Sequence, residues 1–158
     1  MTRVNAIWRH EEYRKSLRKL EAWEKDREFC RHTPEHFLDV ARLTWILVLE
    51  AGMQADKELI YAAGLLHDIG RFRQYEAGIP HEEAGVQLAE EILKDCGFDQ
   101  SEQEQVLELI RGHRTRQEAG SLPELFYRAD KLSRNCFSCP AEEKCDWPKE
   151  KKNLEIRM

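Results

Sequence analysis

The stretch AAGLLHDIG, residues 62–70, constrains this chain more than any other. An apolar run that begins at Leu59 meets two adjacent polar side chains, His67 and Asp68, and stops at Gly70. Burying an imidazole beside a carboxylate costs free energy unless something pairs with both. Any fold built on this run must therefore bring such a partner to its end.

The surrounding pattern is helical nearly everywhere. Val4, Ile7, Trp8, Leu17, Leu20 and Trp23 recur at spacings that fit one face of a first helix. TPEHFLDVARLTWILVLEAG opens with Thr33 as an N-cap and Pro34 at the first helical position, and closes at Gly52. Asp56 caps the next helix, which ends around the His-Asp pair. IPHEEAGVQLAEEILKDCG is a helix with Pro80 near its start and Gly97 at its end. SEQE (Ser101 to Glu104) and SLPE (Ser121 to Glu124) read as capping boxes. No run alternates as a strand would, and there is no repeat or low-complexity linker. We expect an all-α, single-domain helical bundle over residues 1–158, with a core at 30–135 and a Cys-rich irregular tail, 136–158, folded back on it.

Composition narrows the class. Thirty acidic against 25 basic residues give a net charge of −5, which argues against a nucleic-acid surface that works by charge alone. No stretch approaches the roughly 20 apolar residues of a membrane span. The charged start, MTRVNAIWRHEEYRKSLRKLE, does not fit a signal peptide. A cytoplasmic location is expected, where the five cysteines stay reduced and serve as ligands, reactive thiols or core residues.

Six residues then line up in chain order: His36, His67, Asp68, His81, His113 and Asp130. Each falls at or near the end of an expected helix, and a bundle can bring such ends to one point. Imidazole nitrogens and carboxylate oxygens suit divalent Mn, Fe, Ni, Co and Zn. Adjacent residues on a regular helix point about 100° apart, so both His67 and Asp68 reach one metal if Gly70 lets the helix distort there. Taken singly, each histidine has the alternative of a hydrogen-bonded structural residue. His10 reads as solvated. His32, four before His36, is placed on the same helix face as a supporting or spare ligand.

EHFLDVARLTWIL, AAGLLHDIGRF, IPHEEAG, LIRGHR and LFYRADKLSR resemble the successive motifs of the HD superfamily of metal-dependent phosphohydrolases. The core His…His-Asp…Asp signature falls on His36, His67, Asp68 and Asp130. The resemblance implies an all-helical fold in which those four hold a metal. His81 and His113 resemble the extra ligands of the binuclear subgroup, which includes cyclic-dinucleotide phosphodiesterases, diadenosine polyphosphate hydrolases and a few di-iron oxygenases. On that analogy Asp68 bridges two metals, with His36 and Asp130 completing one site and His81 and His113 the other. The alternative is a single metal, with His81 and His113 binding substrate phosphate.

The chemistry so implied is hydrolysis of a nucleotide or other small phosphate ester or anhydride by a metal-activated hydroxide. Asp68, Lys131 and Arg71 are the expected catalytic residues. Arg71, Arg114, Lys131 and Arg134, with Arg73 and Arg116 beside them, follow the ligand motifs and suit substrate phosphate. Glu35, Glu76, Glu82 and Glu83 are candidates for a general acid by proximity only. The competing readings are a di-iron oxygenase on the same ligands and a redox- or metal-sensing nucleotide-binding protein. The partner expected is a small phosphorylated substrate; a homodimer is allowed, and membrane and nucleic acid are not expected.

CFSCPAEEKC places Cys136, Cys139 and Cys145 in a C-x2-C-x5-C arrangement, and Cys30 is the candidate fourth ligand. Four thiolates suit a structural zinc or an iron–sulfur cluster. The alternative is three reduced thiols in a packed tail with Cys30 in the core. Cys96 reads as structural.

Overall fold

The computed structural model describes residues 1–114 and 117–157, and only the backbone of Glu82. The described residues form eight α-helices and no strand: α1 (Thr2–Arg9), α2 (Glu11–Trp23), α3 (Pro34–Glu50), α4 (Lys57–Leu66), α5 (Arg71–Ala77), α6 (His81–Asp95), α7 (Gln100–Gly112) and α8 (Leu122–Leu132). Three single-turn 3₁₀ helices follow in the tail. The all-α expectation holds.

The long α3 lies between α4 and α8, and α7 packs on α4, α6 and α8. Helix α5 bridges α2 and α6, while α1 closes over α4. One apolar cluster runs through all of these layers, with Ile7, Leu20, Phe37, Leu66, Ile92, Ile110 and Phe126 fully buried. Burying each such side chain stabilises the fold by about 1.5–3 kcal/mol.

Local chemistry sets the helix starts. Thr33 accepts from the His36 amide ahead of Pro34, Asp56 from Glu58, and Ser121 from Glu124. Two expectations are corrected. The first amphipathic stretch is two helices, because His10 adopts extended ψ of 134° and ends one helix while starting the next. The capping box before α7 is Asp99 with Glu102 rather than Ser101 with Glu104, so α7 starts at Gln100.

Gly70 is also used differently from the expectation. Its φ of −77° and ψ of −6° are ordinary, but a Cβ there would lie 2.3 Å from the backbone nitrogen of Gly85 on α6. Gly70 is small so that the turn after α4 can touch α6. The tightening itself comes from short-range bonds, Ile69 N to Leu66 O at 3.3 Å and Arg71 N to Asp68 O at 3.0 Å.

The tail folds back on the bundle and on itself. Asn153 donates to Leu132 O at 3.1 Å, and Phe137 N to Asn153 O at 3.0 Å. Lys144 pairs with Glu28 at 2.6 Å. None of the helices described is long and apolar enough to cross a membrane.

Candidate metal centre

Helix ends converge as the spacing implied. His36 sits in the first turn of α3, His67 and Asp68 in the turn after α4, and His81 at the start of α6. His113 caps the C-terminus of α7, and Asp130 occupies the last turn of α8. All six are buried.

Asp68 is at the centre and presents one oxygen to each side. Its Oδ2 lies 3.2 Å from His67 Nε2 and 3.9 Å from His36 Nε2. Its Oδ1 lies 3.4 Å from His81 Nε2 and 3.7 Å from His113 Nε2. Asp130 Oδ1 closes the first side, 3.5 Å from His36 Nε2 and 4.0 Å from His67 Nε2. The donors therefore form two groups that share Asp68, one of His36, His67, Asp68 and Asp130 and one of Asp68, His81 and His113, with all atoms of each within 4.8 Å.

Such spacings fit metal ligation. An ion about 2.1 Å from each donor holds neighbouring ligand atoms about 3.0–3.4 Å apart. Two of the deepest polar atoms, His67 Nε2 and Asp68 Oδ1, make no hydrogen bond. Burying an unsatisfied polar group costs about 1–3 kcal/mol, and a cation between the groups removes that cost.

The other ring nitrogen of each histidine is held in place. His67 Nδ1 meets Gly64 O at 2.8 Å, and His113 Nδ1 meets Ile110 O. Gln74 Oε1 is 2.8 Å from His81 Nδ1. Ser133 Oγ is 3.0 Å from His36 Nδ1 and donates to Asp130 O at 2.7 Å. Fixing Nδ1 turns each Nε2 inward.

The electrostatics leave His36, His81 and the two carboxyls in the forms a metal binds. Burial pushes His36 down to about 3, against its bond to Asp68. Burial likewise pushes His81 down to about 4, so both are neutral at pH 7. Burial opposes charge on the carboxyls, but His32 and His67 around Asp68, and Lys131 beside Asp130, hold both well below the usual carboxylate range. At His113 burial is outweighed by Asp68, and its pKa is raised.

A cleft of about 480 Å³ opens above the pair of donor groups. Six cations line it, Arg27, Arg71, Arg114, Lys131, Arg134 and Lys144, against three carboxylates, Asp68, Asp130 and Asp146. Phe29 and Trp147 supply aromatic walls. Lys131 lies 2.5 Å from Asp130 Oδ2 and over the rings of Tyr127 and Trp147. Arg114 Nη1 is 3.4 Å from the His81 ring. Arg71 donates to Tyr75 at 3.1 Å and lies 3.8 Å from Asp68. Arg134 is more committed, donating to Arg31 O at 2.8 Å and to His36 Nε2 at 2.9 Å. That lone pair is the one a metal would take, so the two are mutually exclusive.

Other expected residues fall elsewhere. Glu35, Glu76 and Glu83 do not line the cleft; Glu76 pairs with Lys19 at 3.3 Å on the surface. The Glu82 side chain and Arg116 lie outside the described residues. Arg73 points to Gln87 at 3.3 Å. His10 is half-buried, with Nε2 3.3 Å from Asp95, rather than solvated. His32 precedes α3 instead of sharing its face, and its Nε2 is 3.5 Å from Asp68 Oδ2. Glu24 and Tyr75 were not anticipated from sequence: Glu24 binds His32, and Tyr75 donates to Glu24 at 2.7 Å. No local motif marks either, since Glu24 sits in an ordinary charged run, EKDRE.

The family model described as HD domain matches residues 33–135. An uncharacterized protein of Clostridium beijerinckii is 43% identical over 156 residues, 99% of each chain. Ribonuclease Y of Latilactobacillus sakei is 48% identical over 54 residues, 34% of this chain and 10% of that protein. A crystal structure of a predicted HD superfamily hydrolase from an uncultured Thermotogales bacterium is similar with a TM-score of 0.59 and 26% identity, over 89% of this chain and 81% of that one. With the signature residues converging as they do and the family model spanning most of the helical core, the chain belongs to the HD domain family and is at that level a metal-dependent hydrolase.

Proposed function

We propose that the protein is a two-metal phosphohydrolase acting on a nucleotide or another small phosphate ester or anhydride. The observation that carries this reading is Asp68, whose two oxygens face two separate donor groups at the floor of a cation-lined cleft. His36, His67, Asp68 and Asp130 would hold one divalent ion, drawn from Mn, Fe, Co, Ni and Zn. Asp68, His81 and His113 would hold the second. Bound metals lower the pKa of water and polarise a phosphoryl oxygen.

The remaining roles belong to this chain's own side chains. Lys131, Arg114 and Arg71 surround the donors and neutralise phosphate charge. Arg134 gives up its bond to His36 when a metal takes Nε2, stays tied to Arg31 O, and acts on the field of the cleft more than as a free phosphate clamp. Phe29 and Trp147 offer flat apolar surfaces on which a base can stack. Asp146 is the lining carboxylate that belongs to neither donor group. Five free cysteines fit a reducing, cytoplasmic location.

Phosphate release from nucleotides and from nitrophenyl mono- and diesters, measured with each metal added in turn, tests the function. Metal-dependent release that Asp68→Ala abolishes together with metal at the His/Asp site supports it. Dioxygen consumption by an iron-loaded protein with no phosphate release would replace it with the oxygenase reading. Metal-dependent turnover retained in Asp68→Ala would reject the site.

A further inference from the structure

The tail presents a problem of stability. Over residues 136–157 it has no helix longer than three residues. Its buried apolar side chains are Cys136 and Ala141, while Phe137, Leu154 and Ile156 are exposed. Ordering the backbone costs about 1–2 kcal/mol per residue, and so little burial does not offset that. Small segments without a core are held by covalent or metal staples.

The cysteines are arranged as such a staple. Three tight turns follow one another, Cys139 N to Cys136 O, Glu142 N to Cys139 O and Cys145 N to Glu142 O, each at 3.2 Å. They wind the chain around one small cavity, lined by Cys136, Cys139 and Cys145 and, from the α2–α3 connection more than a hundred residues earlier, by Cys30. None of the four is in a disulfide. The three tail thiols lie close enough to Cys30 to act on it electrostatically, as does Arg134, and Lys152 is close enough to feel Cys136 and Cys145. Arg134 beside Cys30 offsets part of the negative charge of a thiolate complex, while Lys152 is paired with Glu142 at 2.7 Å.

From this arrangement we infer that Cys30, Cys136, Cys139 and Cys145 hold a four-iron cubane iron–sulfur cluster that pins the tail to the bundle. The spacing favours a cluster over a single zinc. Zinc, about 2.3 Å from each sulfur, draws four thiolates to about 3.8 Å from one another. The donor groups within 4.8 Å of one another among the described residues are the two His/Asp sets, and the sulfurs do not form a third. A cubane places its own iron and sulfide between the four cysteines and takes the wider spacing.

The pin also shapes the cleft. Cys30 and Cys145 line both cavities, and Lys144, Asp146 and Trp147, adjoining Cys145, form one wall of the larger one. Losing the cluster therefore frees a wall of the substrate cleft without touching the His/Asp donors. That consequence for turnover rests on the hydrolase reading; the cluster itself does not.

The experiment is anaerobic purification of the full chain, followed by iron, zinc and acid-labile sulfide analysis, absorption spectroscopy, and electron paramagnetic resonance after dithionite reduction. Labile sulfide separates a cluster from iron at the His/Asp site. The expected result is about four sulfides per chain and a broad visible band, both lost in Cys139→Ala and both kept in Cys96→Ala and Asp68→Ala. Circular dichroism of Cys139→Ala checks that the helices persist, and mild proteolysis should then cut within the tail. Zinc without sulfide in the wild-type protein overturns the cluster, and so does sulfide that survives in Cys139→Ala. Hydrolysis lost in Asp68→Ala with the band intact separates the two sites; a hydrolase reading that failed would leave the cluster result standing.

Discussion

Glu24 grips His32 twice: Oε2 accepts the His32 amide at 2.6 Å, and Oε1 meets His32 Nδ1 at 2.6 Å. Tyr75 donates to the same Oε1, and Arg71 donates to Tyr75, so four side chains from the α2–α3 connection and α5 form one chain ending beside Asp68. Burial would raise the Glu24 carboxyl, but the bonds from His32 and Tyr75 hold it at about 2 against an ordinary 4.5. A depressed acid contributes stability that is present above its unfolded pKa and lost as pH falls through the folded one. The window is therefore pH 4.5 down to about 2. Glu24→Gln should lower the melting temperature at pH 7 and flatten its decline in acid; parallel acid profiles for the two proteins would remove Glu24 from this role.

Gly70→Ala tests the approach of the His-Asp turn to α6. The added Cβ meets backbone atoms of Ala84 and Gly85, 2.3–2.7 Å away, which cannot rotate aside as a side chain would. Overpacking of this kind costs about 1–3 kcal/mol. Urea denaturation should show a loss of that size, and because Gly70 follows Asp68 by two residues, metal affinity should fall with it. An unchanged midpoint would mean that the turn has room to shift.

Ser133 orients His36 while bonding to the backbone of Asp130, so one hydroxyl sets two donors of the same group. Removing a partner of this kind from a ligating histidine costs about 10–100-fold in metal affinity. Ser133→Ala should weaken metal binding in a chelator competition by that factor, and Ser133→Thr should restore it. Equal affinities in all three proteins would assign Ser133 to helix capping alone.

The His/Asp cluster was legible because its residues are rare types at the ends of strongly periodic helices. His36, His67, Asp68, His81, His113 and Asp130 each follow or open an apolar pattern whose phase points them inward. Helix type and most caps were legible for the same reason: Thr33 before Pro34 and Asp56 before Lys57 have few other uses. Glu24 was not, because a carboxylate in a charged run reads as solvated until the fold buries it. The break at His10 left no Pro or Gly signal, and the apolar phase carries across it. At Gly70 the sequence suggests conformational freedom, whereas its use is the absence of a side chain against α6. That distinction depends on a contact 15 residues away, which no local pattern encodes.

Removing metal gives the last test. The two donor groups bring the neutral His36 and His81 and two anionic carboxylates together with Arg134 and Lys131 close by, and the atoms His67 Nε2 and Asp68 Oδ1 have no hydrogen bond. An ion that binds the folded state alone adds RT ln(1 + [L]/Kd), about 2.7 kcal/mol at a hundredfold excess over Kd. Chelation should therefore lower the melting temperature, and adding back manganese or iron should restore it in proportion to the logarithm of concentration. In Asp68→Ala both responses should vanish, since the oxygen shared between the groups is gone. In His113→Ala the first group of donors is intact, so a reduced response should persist while hydrolysis is lost. A full response in His113→Ala would show that a single ion accounts for the stabilisation, and the two-metal arrangement would then be wrong.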